Sequence, residues 1–450
     1  MVSNKWPLAV ALVMLSVGSS AQSLEALYNS ALRNDTQLSA AIANARASDT
    51  QVTQGLSRLL PRLTLEGEAG ARYSQVDEIL DGNTVYSAGT ALQLTQSIYN
   101  QQAFAAYDAV RNLAAQSEAQ VAATRADLKT RVIDAYFAVL RGEEGVVLTE
   151  RVITTVERQL EQTQERYDVG LVAITDVLEA QAVLDQTRAD LIRAQNQAEL
   201  ARQQLAQLTG MPISGLQGLN QQFDPTDINM GTVQEWIDKS RQNPNLIAGR
   251  LGIQASRDQL RAERADRLPQ INGVARYGYD ASYDVDRVGM GSAGAGCSVS
   301  ADDFVDCRTF TMAVTASISI PLFDAGNRSA GLSRQSYQLE ASEANYEGNQ
   351  RQIELAVRQY HQQMQADLSN LNALRQVVSS RESAAEATEL GYEVGSRNVV
   401  EVLNAQRALL TAQTNLSVAR YDLISNYFKL KEAAGDLQER DIQWLAGYLN

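Results

Sequence analysis

The stretch Arg166–Gly210, RYDVGLVAITDVLEAQAVLDQTRADLIRAQNQAELARQQLAQLTG, returns 225 residues later as Gly391–Gly435, GYEVGSRNVVEVLNAQRALLTAQTNLSVARYDLISNYFKLKEAAG, without a gap. Twelve of these 45 positions are identical, among them Tyr167/Tyr392, Val169/Val394, Gly170/Gly395, Val177/Val402, Leu178/Leu403 and Gln181/Gln406. Self-similarity of this kind means that one structural unit is used twice. Upstream the spacing is 208: Asn34-Asp-Thr-Gln-Leu38 lies on Gln242-Asn-Pro-Asn-Leu246, and Leu60-Pro61 on Leu268-Pro269. The 17-residue difference must be inserted in the second copy, and it falls at Val285–Arg308, rich in Gly, Ala, Ser and Asp.

Each copy reads as helix, two strands, very long helix, tight turn and helix. Gln101–Arg166 and Asn327–Leu390 contain no proline and carry an apolar residue at every seventh position. The rows are Val132, Val139, Val146, Ile153, Leu160 and Tyr167, and Val357, Met364, Leu371, Val378, Ala385 and Tyr392. After each turn the beat resumes at Val177, Leu184, Leu191, Ala198 and Leu205, and at Val402, Leu409, Leu416, Leu423 and Leu430. A strict heptad predicts left-handed coiled-coil packing. Length sets the scale, because about 65 helical residues span roughly 100 Å. Thr175–Thr209, Leu24–Ser57 and Thr232–Arg267 are about half as long, so two of them end to end match one long helix. The Gly/Pro-rich pieces Met211–Gly231 and Gly435–Asn450 are then expected at mid-height, as an equatorial girdle.

Thr309–Ile320 alternates: Phe310, Met312, Val314, Ala316, Ile318 and Ile320 share one face, hydroxyl-bearing and small residues the other. Leu63–Tyr73, Ala88–Tyr99 and Ile271–Tyr279 alternate more weakly. Period two over about a dozen residues is the length of a tilted membrane strand, and tyrosines near strand ends suit an interface. Four strands cannot close a barrel, and an open edge in lipid is prohibitive, so several chains are expected to share one barrel.

Lys5, the apolar run Leu8–Val17 and the small residues Gly18–Ala21 have the layout of a signal peptide cleaved after Ala21, giving a mature chain from Gln22. No later stretch reaches the ~18–20 apolar residues of a membrane helix. The expected organisation is a signal peptide, 1–21, a first repeat, 22–230, and a second repeat, 231–450. Cys297 and Cys307 lie in the inserted loop, where an oxidising compartment makes a disulfide the default; closing so short a loop contributes ~2–3 kcal/mol. With two cysteines and one histidine, His361, a Cys/His zinc site lacks ligands. The net charge of −14 argues against a nucleic-acid partner. No Gly-Lys dipeptide exists to build a phosphate-cradling loop. No nucleophile–base pair stands out, so neither an enzyme nor a cofactor is expected.

Val169-Gly-Leu-Val-Ala-Ile-Thr-Asp-Val177, and Tyr392-Glu-Val-Gly395 followed by Arg397 and Val399-Val-Glu-Val-Leu403, resemble the two tip turns of the TolC family of outer-membrane efflux channels. The Leu-Pro entries to the first strands and the exits Ile98-Tyr99-Asn100 and Leu322-Phe323-Asp324 are similar too. The resemblance implies an α+β membrane protein: a homotrimer whose four strands per chain share one transmembrane barrel, continued by a long α-helical coiled-coil tunnel. It implies a passive exit duct for efflux or type I secretion, with a periplasmic adaptor and an inner-membrane transporter of RND, ABC or MFS type as partners. Carried to matching positions, the tip gate would be Arg397 bonding Thr175 and Asp176, with Tyr392 reaching Asp176. The lumen constriction would be Glu401 and Asn404, the latter without the charge that the family's second acidic ring carries. The competing reading from the residues is a periplasm-spanning structural or adhesive trimer with no transport role.

Overall fold

The computed structural model describes residues 22–74, 83–220, 230–284, 297–299 and 305–449. The expected signal peptide and most of the insertion Val285–Arg308 lie outside them. The chain forms two compact units, each drawing on both halves of the sequence. Met1–Ala40, Ala122–Pro244 and Arg351–Asn450 make one; Ala41–Val121 and Asn245–Gln350 make the other.

The long helices form where proline is absent. Helix α3 (Gln101–Asp168) has 68 residues and α7 (Asn327–Glu393) has 67, each about 100 Å at ~1.5 Å per residue. Helices α4 (Ile174–Thr209) and α8 (Val399–Ala433) follow the turns. Inside the helical unit the heptad rows are the core: Val132, Val139, Val357, Met364, Leu371, Leu205, Leu423 and Leu430 are sealed from solvent. Burying each Leu or Val side chain stabilises by ~1.5–3 kcal/mol. Small residues stand where helices approach closely. A Cβ on Gly142 of α3 would stand 2.7 Å from the Ala198 Cα of α4.

The opening helices differ from expectation, because each is broken once. Leu24–Ser57 divides into α1 (Leu24–Asn34) and α2 (Thr36–Ser57). Asp35 leaves the helical region (φ −64°, ψ 121°), and its carboxylate accepts from the Leu38 N–H at 2.7 Å. Arg131 of α3 donates to the same carboxylate at 2.9 Å. Burial alone would push this carboxyl up; the Arg131 and backbone bonds hold it below the usual carboxylate range. Thr232–Arg267 divides into α5 (Val233–Ser240) and α6 (Pro244–Ala265). Here proline, with no N–H to offer, takes the first helical position. The breaks free two asparagine side chains for one task. Asn34 Nδ2 donates to Gln207 O (3.1 Å) and Leu208 O (3.4 Å) at the end of α4. Asn243 Nδ2 donates to Glu432 O (3.2 Å) and Ala433 O (2.9 Å) at the end of α8. Carbonyls that a helix terminus leaves orphaned are thereby satisfied.

Of the expected girdle segments, residues 221–229 and 450 lie outside the described ones. The rest of the helical unit adds short backbone bridges, Gln22 with Leu216 and Leu219 with Leu449, and one helix the sequence did not announce, α9 (Glu439–Ala446). Asp441 of α9 meets the buried Lys431 Nζ of α8 at 2.6 Å and also accepts from the Gln438 N–H at 2.7 Å. That buried charge is both paired and hydrogen-bonded, the condition for burying one at tolerable cost.

The two glycines of α3 should respond to alanine with opposite signs. Gly142→Ala forces α3 off α4 and should destabilise by ~1–3 kcal/mol. Gly145, whose added Cβ would touch nothing within 4 Å, should gain ~0.5–1 kcal/mol from lost unfolded-chain freedom. Urea unfolding of detergent-purified protein measures both, and equal responses would refute the close α3–α4 approach.

Candidate functional site

The sheet-bearing unit contains β1 (Arg62–Ser74), β2 (Asn83–Tyr99), β3 (Gln270–Asp284), β4 (Cys297–Val299) and β5 (Val305–Ser319), all antiparallel, in the order β1-β2-β3-β5-β4. Four strands were expected; the three-residue β4, inside the insertion, is a fifth. Its pairing with β5 sets Cys297 opposite Cys307, and Cys307 is disulfide-bonded.

Register decides what each face carries, since opposed residues on neighbouring strands point the same way. One row runs Leu65–Leu92–Tyr277–Met312, the next Leu63–Leu94–Ala275–Val314, and a third ends in Tyr279–Phe310. The rings of that last pair lie 4.9 Å apart. Leu65, Met312 and Val314 are each more than three-quarters exposed. The other face carries Glu66, Glu68 and Arg72 on β1, Gln93 on β2, Arg276 and Asp280 on β3, and Thr309 and Thr311 on β5. A continuous exposed apolar face of this extent marks contact with a membrane or a partner. Among the described residues no helix is long and apolar enough to cross a membrane.

The tip lies in the helical unit, and its two turns are built alike. At the first, Leu171 N–H donates to Arg166 O (2.8 Å) and Gly170 N–H to Tyr167 O (2.9 Å); at the second, Ser396 N–H donates to Gly391 O (2.8 Å) and Gly395 N–H to Tyr392 O (3.0 Å). This is a Schellman ending, which needs a left-handed residue. Gly170 (φ 78°) and Gly395 (φ 77°) supply it. Val152 and Val156 of α3, Ala180 and Leu184 of α4, and Val399, Val402 and Leu403 of α8 form one buried cluster that includes Tyr392.

The expected gate residues are not joined as expected. Tyr392 is 5% exposed while its counterpart Tyr167 is 37% exposed. The Tyr392 hydroxyl bonds Thr163 Oγ1 at 3.2 Å, not Asp176. Arg166 lies over its ring at 4.6 Å and donates to its carbonyl at 3.2 Å. Arg397 pairs with Glu401 at 2.5 Å rather than with Thr175 or Asp176. Arg397 lies in the turn before α8 and Glu401 in the first turn of that helix, so the pair is local to the start of α8. Asn398 adds to it, its Oδ1 accepting from the Glu401 N–H at 2.9 Å. Thr175 and Asn404 are exposed, and Asp176 sits in the first turn of α4. Thr163 and Arg166 were missed by sequence reasoning. Their one signal was spacing, since residues three apart share a helix face.

Comparison with known proteins agrees with this architecture. The family model of the outer membrane efflux proteins matches residues 27–211 and 237–436. The chain is 32% identical over 435 residues to the outer membrane protein TolC of Vibrio cholerae, covering 96% of this chain and 95% of that one. It is 26% identical over 450 residues to the alkaline protease secretion protein AprF of Pseudomonas aeruginosa, covering 98% and 90%. The solved outer-membrane channel OprN superposes with a TM-score of 0.78 at 20% identity, over 92% of this chain and 90% of that one. CusC gives 0.77 at 18%, over 93% and 95%.

A sheet with one lipid-compatible face, joined in one chain to long coiled-coil helices, defines the class as an outer-membrane channel protein. The chain belongs to the outer membrane efflux protein family. It resides in the outer membrane and is an exit duct of efflux or type I secretion systems, in a family of channels rather than enzymes. Such a duct works alongside the adaptor and inner-membrane transporter of its system. The scaffold reading yields to this membership.

Amide exchange at the second turn should report the Tyr392 contacts. Arg166→Leu removes the ring contact and a carbonyl bond, and should speed exchange at Val394 to Ser396 about tenfold, equivalent to ~1.4 kcal/mol. Tyr392→Phe loses only the hydroxyl bond, ~1 kcal/mol, and should speed it about fivefold. Unchanged exchange in both would mean that Arg166 and Thr163 do not hold this turn.

Proposed function

We propose that the working form is a homotrimer whose shared twelve-stranded barrel continues into a helical tunnel. It would be a passive duct, opened at the tip when a periplasmic adaptor and an inner-membrane transporter of RND, ABC or MFS type dock. The observation that carries this is the sheet: among the described residues, four long strands with an apolar face and two edges that are not paired to each other. Unpaired backbone in hydrocarbon costs several kcal/mol per group, so copies must join edge to edge.

The duplicated organisation, 22–230 and 231–450 behind a signal peptide 1–21, has support from one pair of contacts. The Ser48 and Ser117 hydroxyls bond at 2.9 Å, and those of Ser256 and Ser342 at 3.1 Å. The first members are 208 residues apart and the second 225, the two spacings of the sequence repeat. Cys297 and Cys307 form the staple of the second hairpin. At the tip, Thr175 and Asp176 are the groups that Arg397 reaches on a neighbouring copy, and Glu401 with Asn404 lines the constriction. Because Arg397 pairs with Glu401, that ring is partly neutralised.

Native mass spectrometry and planar-bilayer recording test this together. A trimer that conducts is expected; a conducting monomer or a silent trimer overturns the reading. Divalent-cation block should be weak in the parent, nearly absent in Glu401→Gln, and stronger in Asn404→Asp, since attraction grows with ring charge. Arg397→Ser should also strengthen block by unmasking Glu401, and raise open probability by about one to two decades, three exposed links at ~0.5–1 kcal/mol each giving ~1.5–3 kcal/mol. Identical block in all four versions would remove these residues from the constriction.

A further inference from the structure

The two copies of the repeat part company where helices meet strands. Ser48 bonds Ser117 and Ser256 bonds Ser342, so α2 packs on α3 in the same register as α6 on α7. Carried along that register, Asp266 and Arg328 correspond to Arg58 and Ala103, and Glu263 and Gly331 to Gly55 and Ala106. In the second copy this place is closed from within. Arg328 Nε donates to Asp266 Oδ2 at 2.6 Å, and its Nη1 to Asp324 Oδ2 at 3.1 Å. The Glu263 carboxylate lies over Gly331, so close that an added Cβ would collide with it.

In the first copy the same place is open. Gly55 and Ala106 leave a cleft of about 200 Å³ between α2 and α3, lined also by Gln51, Gln54, Arg58 and Tyr107. The arginine has changed helices and its partner is gone: Arg58 stands where the second copy has Asp266, and Ala103 where it has Arg328. Arg58 is exposed, and among the described residues no ion pair or side-chain hydrogen bond reaches it.

We propose that this cleft binds the phosphate headgroup of an anionic phospholipid from the periplasmic leaflet of the outer membrane. The partner that Arg58 lacks is then an anion supplied from outside the chain. A guanidinium forks onto two phosphate oxygens, and such charged bonds are roughly twice as strong as neutral ones. Gln51, Gln54 and the Tyr107 hydroxyl are placed to hold glycerol hydroxyls. A zwitterionic headgroup would bring an ammonium against Arg58, so an anionic one is preferred. The site goes beyond the duct reading and does not depend on how many chains share the barrel.

Depth agrees with a lipid. Helix α2 ends at Ser57 and β1 begins at Arg62, so Arg58 stands just beyond the apolar strand face. That is the level of the polar zone, ~5–8 Å deep, which flanks the hydrocarbon. Leu60 precedes β1, Ile98 lies near the end of β2 and Phe104 is in the first turn of α3; each is at least half exposed and offers surface to an acyl chain. The second copy has such surface too, in Leu322 and Phe323. There, however, the headgroup position is taken by the chain's own side chains.

Native mass spectrometry of the full-length, detergent-purified protein with added phosphatidylglycerol tests this. One lipid per chain should be retained, phosphatidylethanolamine much less, and excess inorganic phosphate should not displace it. Ala103→Asp gives Arg58 an internal partner, as Arg328 has in the second copy, at a first-turn position where Asp suits a helix. It should lower retention about tenfold, as should Arg58→Ala, the loss expected for one charged hydrogen-bonded contact. Arg267→Ala, at an exposed arginine of the second junction, should change nothing, and circular dichroism should show parent helicity in all three variants. Equal retention of both lipids, displacement by inorganic phosphate, or equal loss in Arg267→Ala would make the contact a general interfacial one and overturn the site. A parent that retains no lipid, or an Ala103→Asp variant that retains as much as the parent, overturns it as well.

Discussion

A backbone amide at a sheet edge finds no hydrogen-bond partner in hydrocarbon, and that constraint governs this chain. Register shows a sheet ready for lipid on one face, with Leu65, Tyr277 and Met312 aligned across strands and Glu66, Gln93 and Arg276 behind them. Such a sheet is incomplete by itself. In the proposed trimer the edges of β1 and of β5 beyond the short β4 are completed by the matching strands of other copies. In the proposed trimer the membrane sheet is thus the reason for the oligomer, and the helices must accommodate the symmetry it imposes.

The helical unit does this with modest local means. Coiled-coil rows supply the burial, small residues such as Gly142 and Ala198 set the spacing, and side chains from other helices cap the ends. Charges inside are paired or bonded, as Lys431 with Asp441 and Arg131 with Asp35. Desolvation still marks some of them: it raises the Glu432 and Asp422 carboxyls above their ordinary values, with Thr130 partly opposing it at Glu432 and Arg141 at Asp422. Burial also pushes the Tyr28 hydroxyl up to about 12. These groups favour their neutral forms in the folded chain, so the carboxyls weaken folding as pH rises through their folded values.

Much of this was legible in the sequence, for identifiable reasons. Heptads, alternation and left-handed glycines are local patterns, so α3, α7, the strand faces and both tip turns could be placed from them. Asn34-Asp-Thr and Gln242-Asn-Pro served only to align the copies, although an Asp N-cap and a first-turn proline are also helix starts. The β4 strand hides in a Gly/Ser-rich insertion with no alternation to expose it. The partners of Tyr392 were out of reach because Thr163 lies more than two hundred residues away in sequence. Arg397 differs for the opposite reason: within the chain it meets Glu401, only four residues on, at the start of α8.

The unequal tyrosines at the two turns bear on degeneracy. Two identical hairpins per chain would give a closed ring a sixfold set of equivalent joints, each as easy to loosen as the next. In the single chain Tyr392 is packed and bonded, 5% exposed, where Tyr167 is 37% exposed. In the proposed trimer that difference would lift the equivalence and leave two classes of hairpin alternating around the ring. A twist applied from outside would then meet two unlike hairpins per chain, which reduces the sixfold choice to a threefold one.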